Sequence, residues 1–199
     1  MGMTKKAERT KAKLLQSARE LIAERGFDSV SVEEITKHCG VAKGTFYHYF
    51  ECKEDVISQI SFQSLKSMVT EATEAGDSVE DRLSRFITVL MREAQETGVH
   101  IMREWLRDVM DPQTTKTGDT AVRVGFSEIR GIIESGVTSG ELKKNTPLDM
   151  LSQLFLAHIY GALTIWCMVG GRENLEEMAA GVSPEYVRNM LVRYKRGKK

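Results

Sequence analysis

The chain has 199 residues, which predicts one or two domains and enough length to bury a core without disulfide or metal staples. Apolar residues make up 41% and charged residues 28%, which excludes wholesale disorder, and no run of about 18 apolar residues predicts a transmembrane helix. The formal net charge is zero, and the three cysteines match no zinc-binding spacing, so we expect reduced thiols in a cytoplasmic protein.

The first quarter of the chain is predicted to contain three helices. Apolar side chains repeat at helical period until Gly26 ends the first helix. Ser31 and Glu34 form a capping box for the second helix, and a three-residue turn from Gly40 leads into the third. The predicted spans are 8–25, 32–39 and about 43–50. Two short helices joined by such a turn indicate a helix-turn-helix unit.

Six further helices are predicted downstream, which makes about nine in all. We expect the first three at about 53–75, from Ser78 to Gly98 and at about 100–110. A polar stretch at 112–119 precedes the next helix, which ends at about Gly136. The last two are expected at about 147–169 and from Ser183 to about 195. Thr146-Pro147 and Ser183-Pro184 each supply a cap followed by a first-turn proline for the last two helices. No alternating strand pattern occurs, so the predicted fold is all-α.

The third helix carries the most informative pattern. Phe46 and Phe50 lie four residues apart and share a face that can pack on Ile35 and Val41. The residues that this leaves pointing outward are Lys43, Thr45, Tyr47 and His48. Aromatic rings beside bases suit DNA, where they contact phosphates and base edges. We therefore predict that this helix recognises DNA, although His48 can also be an ordinary exposed turn residue.

Several flanking residues are candidates for contacts with the DNA backbone. Ser31 begins a helix, Gly44 allows close approach of the backbone, and Lys53 opens the fourth helix. An N-terminal basic arm consists of Lys5, Lys6, Arg9, Lys11 and Lys13, which either contact DNA or remain solvated. Residues 1–53 carry ten bases and seven acids, residues 54–187 twelve and 21, and residues 188–199 six and none. A basic N-terminal segment on an acidic body favours a polyanion at the N-terminal part, whereas the basic C-terminal tail can simply be solvated.

An ordered set of residues in this region resembles the tetracycline-repressor (TetR) family. The set is Gly26-Phe27, Ser31-Val32, Ile35, Gly40-Val41, Lys43-Gly44-Thr45-Phe46-Tyr47, Tyr49-Phe50 and Lys53-Glu54. The resemblance implies an all-helical homodimer with a helix-turn-helix domain at 1–52 and a ligand-binding and dimerisation domain at 53–199. It places DNA contacts at Ser31, Val32, Ala42, Lys43, Gly44, Thr45, Tyr47, His48, Tyr49 and Lys53. Tyr49 can equally pack in the core, and Cys39, where the family has a small alanine, is expected to be buried.

The C-terminal domain offers candidates for a ligand site, since such sites are mostly apolar with a few polar anchors. The candidates are Phe86, Leu90, Met91, His100, Met102, Arg103, Trp105, Phe126, His158 and Trp166. Each can instead be a core, surface or dimer residue. The last two helices are expected to form the dimer, and the net negative charge of the body weakly disfavours acidic ligands.

We interpret the chain as a ligand-released repressor that binds a palindromic DNA operator as a homodimer and responds to a small-molecule effector. The alternatives are a ligand-independent DNA-binding or scaffold protein and a transcriptional activator. The usual catalytic motifs are missing and the four histidines have no metal-ligand spacing, so we expect no enzyme activity, no cofactor and no metal. We also expect no membrane partner.

Overall fold

Three helices form the N-terminal part of the protein. The computed structural model describes residues 4–57, 59–60, 78–110 and 115–196, with side chains from residue 122 onward in the last range. The first helices are α1 (Lys5–Arg25), α2 (Val32–Cys39) and α3 (Lys43–Tyr49). The three predicted helices are thus confirmed, and α1 begins three residues earlier than predicted.

Capping interactions explain where these helices begin and end. The Thr4 hydroxyl accepts a hydrogen bond from the backbone of Ala7 at 3.3 Å, which moves the start of α1 upstream. Ser31 and Glu34 form the predicted capping box at the start of α2. Gly40 ends α2 in the left-handed conformation, with φ of 74°, which a residue with a Cβ adopts only with strain.

An apolar core, which we call the N-terminal cluster, joins the first helices. It consists of Leu14, Leu15, Ala18, Ile22, Phe27, Val30, Ile35, Phe46, Phe50, Val56, Ile57, Ile60 and Ile101. The inward packing predicted for Phe46 and Phe50 is thus confirmed. The cluster also includes residues of a fourth helix, α4, which begins at residue 54 and is described at 54–57 and 59–60. This core therefore runs past the predicted boundary at residue 52; the predicted end of α4 lies outside the described residues.

In the C-terminal part, the described residues form five α-helices. They are α5 (Val79–Thr97), α6 (Val99–Met110), α7 (Thr115–Ser139), α8 (Leu148–Met168) and α9 (Leu175–Leu191). The described residues form no strand, which agrees with the all-α prediction. Helix α9 packs along α5, and α8 packs along α7, around a second apolar core that includes Phe86, Ile133 and Phe155.

The predicted bounds of α7, α8 and α9 need correction. Helix α7 begins inside the stretch predicted to be polar and irregular, and it continues to Ser139. Thr146 does not cap α8, because its hydroxyl is buried and donates to the carbonyl of Lys143 at 2.6 Å. Helix α8 begins without a side-chain cap, after Pro147.

Helix α9 starts nine residues before the predicted site. Asn174 is its cap and accepts from the backbone of Glu177 at 3.0 Å, while Gln95 of α5 accepts from the backbone of Leu175 at 2.6 Å. Ser183 and Pro184, the predicted start, lie inside the helix. An interior proline weakens a helix, but burial of the apolar face of α9 against α5 compensates for it.

The start of the basic C-terminal tail is held by the fold. A short 3-10 turn (Val192–Tyr194) follows α9. The backbone of Lys143 then donates to the carbonyl of Tyr194 at 2.8 Å, and that of Arg196 donates to the carbonyl of Glu141 at 3.0 Å. The idea of a simply solvated tail is therefore wrong up to Arg196.

Among the described residues, one helix is long and apolar enough to cross a membrane by length and composition alone, which the sequence analysis did not anticipate. This helix is α8, which contains Ser152, Gln153 and His158. Its mean hydropathy is high because it buries one side in the C-terminal core and exposes apolar residues on the other.

The two parts of the protein meet where α1 contacts α5 and α6. Ile101 of α6 is fully buried in the N-terminal cluster. Nearby, the Arg19 guanidinium donates to the Thr97 hydroxyl at 3.0 Å. Helix α6 therefore has residues in both cores, since Met102 and Leu106 belong to the C-terminal one.

Candidate nucleic-acid interface

Helix α3 follows α2 across the predicted turn, and backbone hydrogen bonds fix its direction. The Gly40 backbone donates to the carbonyl of Lys37 at 3.2 Å, and that of Val41 donates to Thr36 at 2.9 Å. The Thr36 side chain is itself buried. The turn is thus a closed structure that holds two helices at a set angle, as in a helix-turn-helix unit.

The two faces of α3 have opposite characters. Phe46 is fully buried, and its ring centroid lies 5.0 Å from that of Phe50, so this face anchors the helix. Tyr47 on the other face is 52% exposed, which is a large apolar area for a residue with no structural role in the core. The other predicted contacts on or next to this surface are Ala42, Lys43, Gly44 and His48, all exposed. One face of helix α3 is therefore anchored in the apolar core, and the opposite face is accessible to solvent.

Lys43 at the start of α3 is paired with Glu33 on α2. The hydrogen bond between them lowers the pKa of Glu33 and raises the pKa of Lys43, so both stay charged near neutral pH. A phosphate or a guanine edge must compete with this carboxylate for the ammonium group. Glu33 was missed in the sequence analysis, because the angle between α2 and α3 decides that two residues ten positions apart meet.

Ser31 is occupied by its capping role. Its backbone N–H and its hydroxyl each donate to Glu34 at 2.8 Å. These bonds, together with Arg25 at 2.9 Å, lower the pKa of Glu34 to about 2. The box is therefore ionised at any working pH and fixes the start of α2, where Val32 is half-buried. A phosphate contact by either residue stays a prediction.

Lys53 points into the protein rather than away from it. Its ammonium group donates to the carbonyls of Phe27 and Val30 at 2.8 and 2.9 Å and lies 3.9 Å from the centre of the Phe27 ring. Lys53 thus holds the loop between α1 and α2, a role that differs from the phosphate contact predicted for it. That contact stays a prediction that requires the ammonium to leave, or share, these carbonyls.

The remaining predicted DNA contacts have mixed surroundings. Thr45 and Tyr49 are half-buried, and Tyr49 packs against the N-terminal cluster. Within the basic arm, Lys5, Lys6, Arg9 and Lys13 are exposed along α1, whereas Lys11 lies 5.8 Å from the centre of the Phe50 ring. The basic arm therefore approaches the base of α3 and extends the positive surface beyond it.

The cysteines have no evident chemistry. All three thiols are free. Cys39 is half-buried rather than buried as expected, and partial burial raises the pKa of the exposed Cys52 thiol. A raised pKa disfavours the reactive thiolate.

Six of the ten predicted ligand residues lie in or against the C-terminal core, and a ligand site among the ten stays a prediction. Phe86, Met91, Met102 and Trp166 are buried in the C-terminal core, and Leu90 and Trp105 pack against it. His158 stacks on Tyr186 of α9, with ring centroids 4.0 Å apart, and His100 is exposed and faces Gly26. Phe126 is half-buried on α7. Only Arg103 lines a described cavity, which lies between α6 and α8.

The helix-turn-helix geometry has a counterpart among known proteins. A family model described as bacterial regulatory proteins of the tetR family matches residues 14–60, the same residues that build the N-terminal cluster around α3. Residues 14–60 form a DNA-binding domain of the tetR family. The chain is a DNA-binding transcriptional regulator, and α3 is the second helix of its helix-turn-helix unit.

Similarity to transcriptional regulators extends over most of the chain. The transcriptional regulator UidR of Escherichia coli is 28% identical over 167 residues, covering 81% of this chain and 84% of that protein. The FadR structure from Bacillus subtilis, in complex with stearoyl-CoA, has a TM-score of 0.72 at 21% identity and covers 88% of this chain and 96% of that one. Salmonella enterica GusR has a TM-score of 0.71 at 23% identity, with 92% and 96% covered. At these identities the two structures show a shared fold.

Proposed function

We propose that this chain is a repressor that binds a palindromic operator as a homodimer and leaves it when a small-molecule effector binds. The observation that carries the DNA-binding part is the two-faced α3. Phe46 anchors the helix in the N-terminal cluster, while Tyr47 and His48 face solvent beside Lys43. Exposed aromatic and basic groups at the start of a recognition helix suit phosphates and base edges in the major groove.

The proposed dimer rests on the outer faces of α8 and α9. These faces expose an unusual amount of apolar side chain. The residues are Met150, Leu154, Ile165, Met178 and Val182, each between 42% and 59% exposed. Apolar patches of this kind mark association surfaces. A two-fold dimer can place two copies of α3 about one DNA turn, roughly 34–36 Å, apart.

The effector is proposed to act by changing that spacing. A ligand that binds the dimer better in a splayed conformation shifts the population away from the DNA-binding one. Helix α6 is the candidate lever, because Ile101 belongs to the N-terminal cluster and Leu106 to the C-terminal core. The complex of Bacillus subtilis FadR with stearoyl-CoA supports an effector site in this fold. The proposal implies a cytoplasmic protein that binds its effector without converting it.

The test is capture of genomic fragments by the purified protein, followed by a salt titration on the best site. We expect a palindromic site whose binding constant falls linearly with salt on logarithmic axes, because phosphate contacts release counterions. Tyr47→Ala should weaken this site by about tenfold or more, the cost of losing a base or phosphate contact. Lys144→Ala, in the exposed loop before α8, is the matched control.

Two results would contradict the proposal. If no sequence is enriched, or if Tyr47→Ala binds like the control, α3 does not read an operator. If the protein binds the DNA site but no cell extract or small molecule that is added releases it from the DNA, the protein binds DNA independently of a ligand. Reporter expression from the site, with and without the gene, distinguishes a repressor from an activator.

A further inference from the structure

A cavity of about 590 Å³ lies between α6 and α8, next to the DNA-binding part. Arg103, Leu106, Arg107 and Met110 line it from α6, and Thr164, Cys167 and Met168 line it from α8. Its volume lies within the range of small-molecule sites, about 300–1,000 Å³. The sequence analysis placed one of these residues, Arg103, in a ligand site.

The polar side of the cavity is cationic. Arg103 donates from Nε and Nη2 to the carbonyl of Cys167 at 2.9 and 2.6 Å, so its bonds go to a neutral acceptor and its charge is not cancelled by that partner. Arg107 is paired with Glu104 one turn earlier on α6, and its side chain is 60% exposed. Arg103 and Arg107 are both exposed and line the same cavity, so their guanidinium groups can attract a carboxylate or a similar anion.

The other side of the cavity is apolar and adaptable. Leu106 and Cys167, which line it, are buried. Met110 and Met168 at its rim are 66% and 76% exposed. Flexible methionine side chains can close over apolar chains of different shapes. The cavity thus combines a cationic end with an apolar end, which matches an amphipathic anion.

Arg107 also belongs to the contact with the DNA-binding part. Its guanidinium carbon lies 5.9 Å from the centre of the Phe27 ring, and the Lys53 ammonium lies 3.9 Å from the centre of the same ring. Burial raises the pKa of Glu104, the partner of Arg107, and the positive charge of Arg107 opposes this rise. A displacement of the Arg107 charge therefore changes the electrostatic surroundings of Glu104 and of the loop that precedes α2.

We propose that this cavity binds an organic carboxylate with an apolar chain, its carboxylate at Arg103 and Arg107, and that the bound anion draws Arg107 away from Glu104 and Phe27. This inference rests on the proposed function, because it assigns the effector class and the first step of release. The occupied cavity then loosens the contact between α6 and the loop at Phe27, whose carbonyl Lys53 holds. No covalent step is involved.

Binding is tested with cis-parinaric acid, a fluorescent carboxylate with an apolar chain, and with its uncharged methyl ester. We expect saturable binding of the acid to the wild-type dimer, weakened about tenfold or more in Arg103→Gln and Arg107→Gln. Arg107→Lys should recover part of the loss because it keeps the charge, and Lys144→Gln should bind like the wild type. The ester should bind weakly and equally to all five proteins.

Equal binding of acid and ester, unchanged binding of the acid by both glutamine variants, or no binding at all would overturn the cavity assignment. Arg103→Gln also removes two hydrogen bonds to Cys167 and can therefore unfold the protein. In that case the binding measured for Arg107→Gln, whose side chain is mostly exposed, decides the cavity assignment.

Coupling to DNA is tested on the captured operator. The ratio of operator affinities without and with saturating parinarate should be about tenfold or more in the wild type and below about twofold in Arg107→Gln. Binding of the probe without any loss of operator affinity would overturn the release step. Failure of the wild type to bind any operator would instead overturn the proposed function, and the fluorescence titration would still decide the cavity.

Discussion

At the scale of single residues, Lys53 shows how a basic side chain that was predicted to contact DNA can stabilise the fold. A lysine on the surface usually contributes little to stability. Lys53 instead joins the start of α4 to two carbonyls of the loop between α1 and α2 and covers the Phe27 ring. The same loop carries Ser31 to its position at the start of α2. The ammonium group therefore orders the entrance to the helix-turn-helix unit.

Replacing Lys53 by Met should lower the free energy of unfolding by about 1–2 kcal/mol, because two carbonyls lose a charged donor while the apolar stem remains. Urea unfolding of the purified protein measures the change. Lys37→Met, at an exposed site on α2, is the control and should change stability by no more than about 0.5 kcal/mol. Equal losses of unfolding free energy in the two variants would show that these hydrogen bonds do not contribute to stability.

Glu33 forms an ion pair with Lys43, one of the residues predicted to contact DNA. Replacing it by Gln should strengthen operator binding severalfold, because Lys43 becomes free and one repulsion from phosphates disappears. Glu24→Gln, which removes an equal charge from the exposed surface of α1, is the control. Fluorescence anisotropy at two salt concentrations measures both. An equal gain in the two variants would mean that net charge, not the ion pair, limits binding.

At the scale of elements, α7 approaches its neighbours most closely at Gly136. A Cβ on this residue would lie 3.0 Å from Val79 at the start of α5 and 3.2 Å from Leu142 in the following loop. Gly131, on the same helix, has no atom within 4 Å of its Cβ position. The two glycines of this helix thus differ: close packing requires a glycine at position 136 but not at position 131.

Gly136→Ala should destabilise the protein by about 1–3 kcal/mol through overpacking, even though alanine is the better helix former. Gly131→Ala should stabilise it by up to about 1 kcal/mol through helix propensity alone. Thermal unfolding of the two variants side by side measures the difference. If both substitutions stabilise the protein, α5 and the loop can move away from α7 at no cost.

At the scale of the whole molecule, two apolar cores are linked through α6. Ile101 fills the N-terminal cluster, and Met102 and Leu106 fill the C-terminal core. The outer faces of α8 and α9, by contrast, expose large apolar side chains to solvent. Burial of these side chains against a second copy is the physical basis for the proposed dimer.

Leu154→Glu, on the exposed face of α8, should raise the dissociation constant of the dimer by roughly tenfold to a hundredfold, because burying the new charge costs about 1–3 kcal/mol. Operator affinity should fall with it, although α3 is untouched. Analytical ultracentrifugation and anisotropy measure the two effects, with Ser127→Glu on the exposed side of α7 as control. A dimer unaffected by Leu154→Glu would place the interface elsewhere.

The sequence by itself determined the all-α fold and the helix-turn-helix unit, because the information there is local. The capping box at Ser31, the glycine at position 40 and the spacing of Phe46 and Phe50 all act within a few residues of where they stand. The exposure of Lys43 and Tyr47 follows from the same spacing. Ser183-Pro184 misled because the same pair of residues that starts one helix can lie within another when packing against α5 compensates.

Only the tertiary structure decided the partners of the charged side chains and the place of the cavity. Lys53 and Phe27, Lys43 and Glu33, and Arg107 and Phe27 meet across helices whose angles no local pattern encodes. Most of the predicted ligand residues are core or surface residues for the same reason: an apolar helical stripe looks alike whether it faces a core, a cavity or a partner chain. Which of the three it faces depends on the neighbours that folding brings to it.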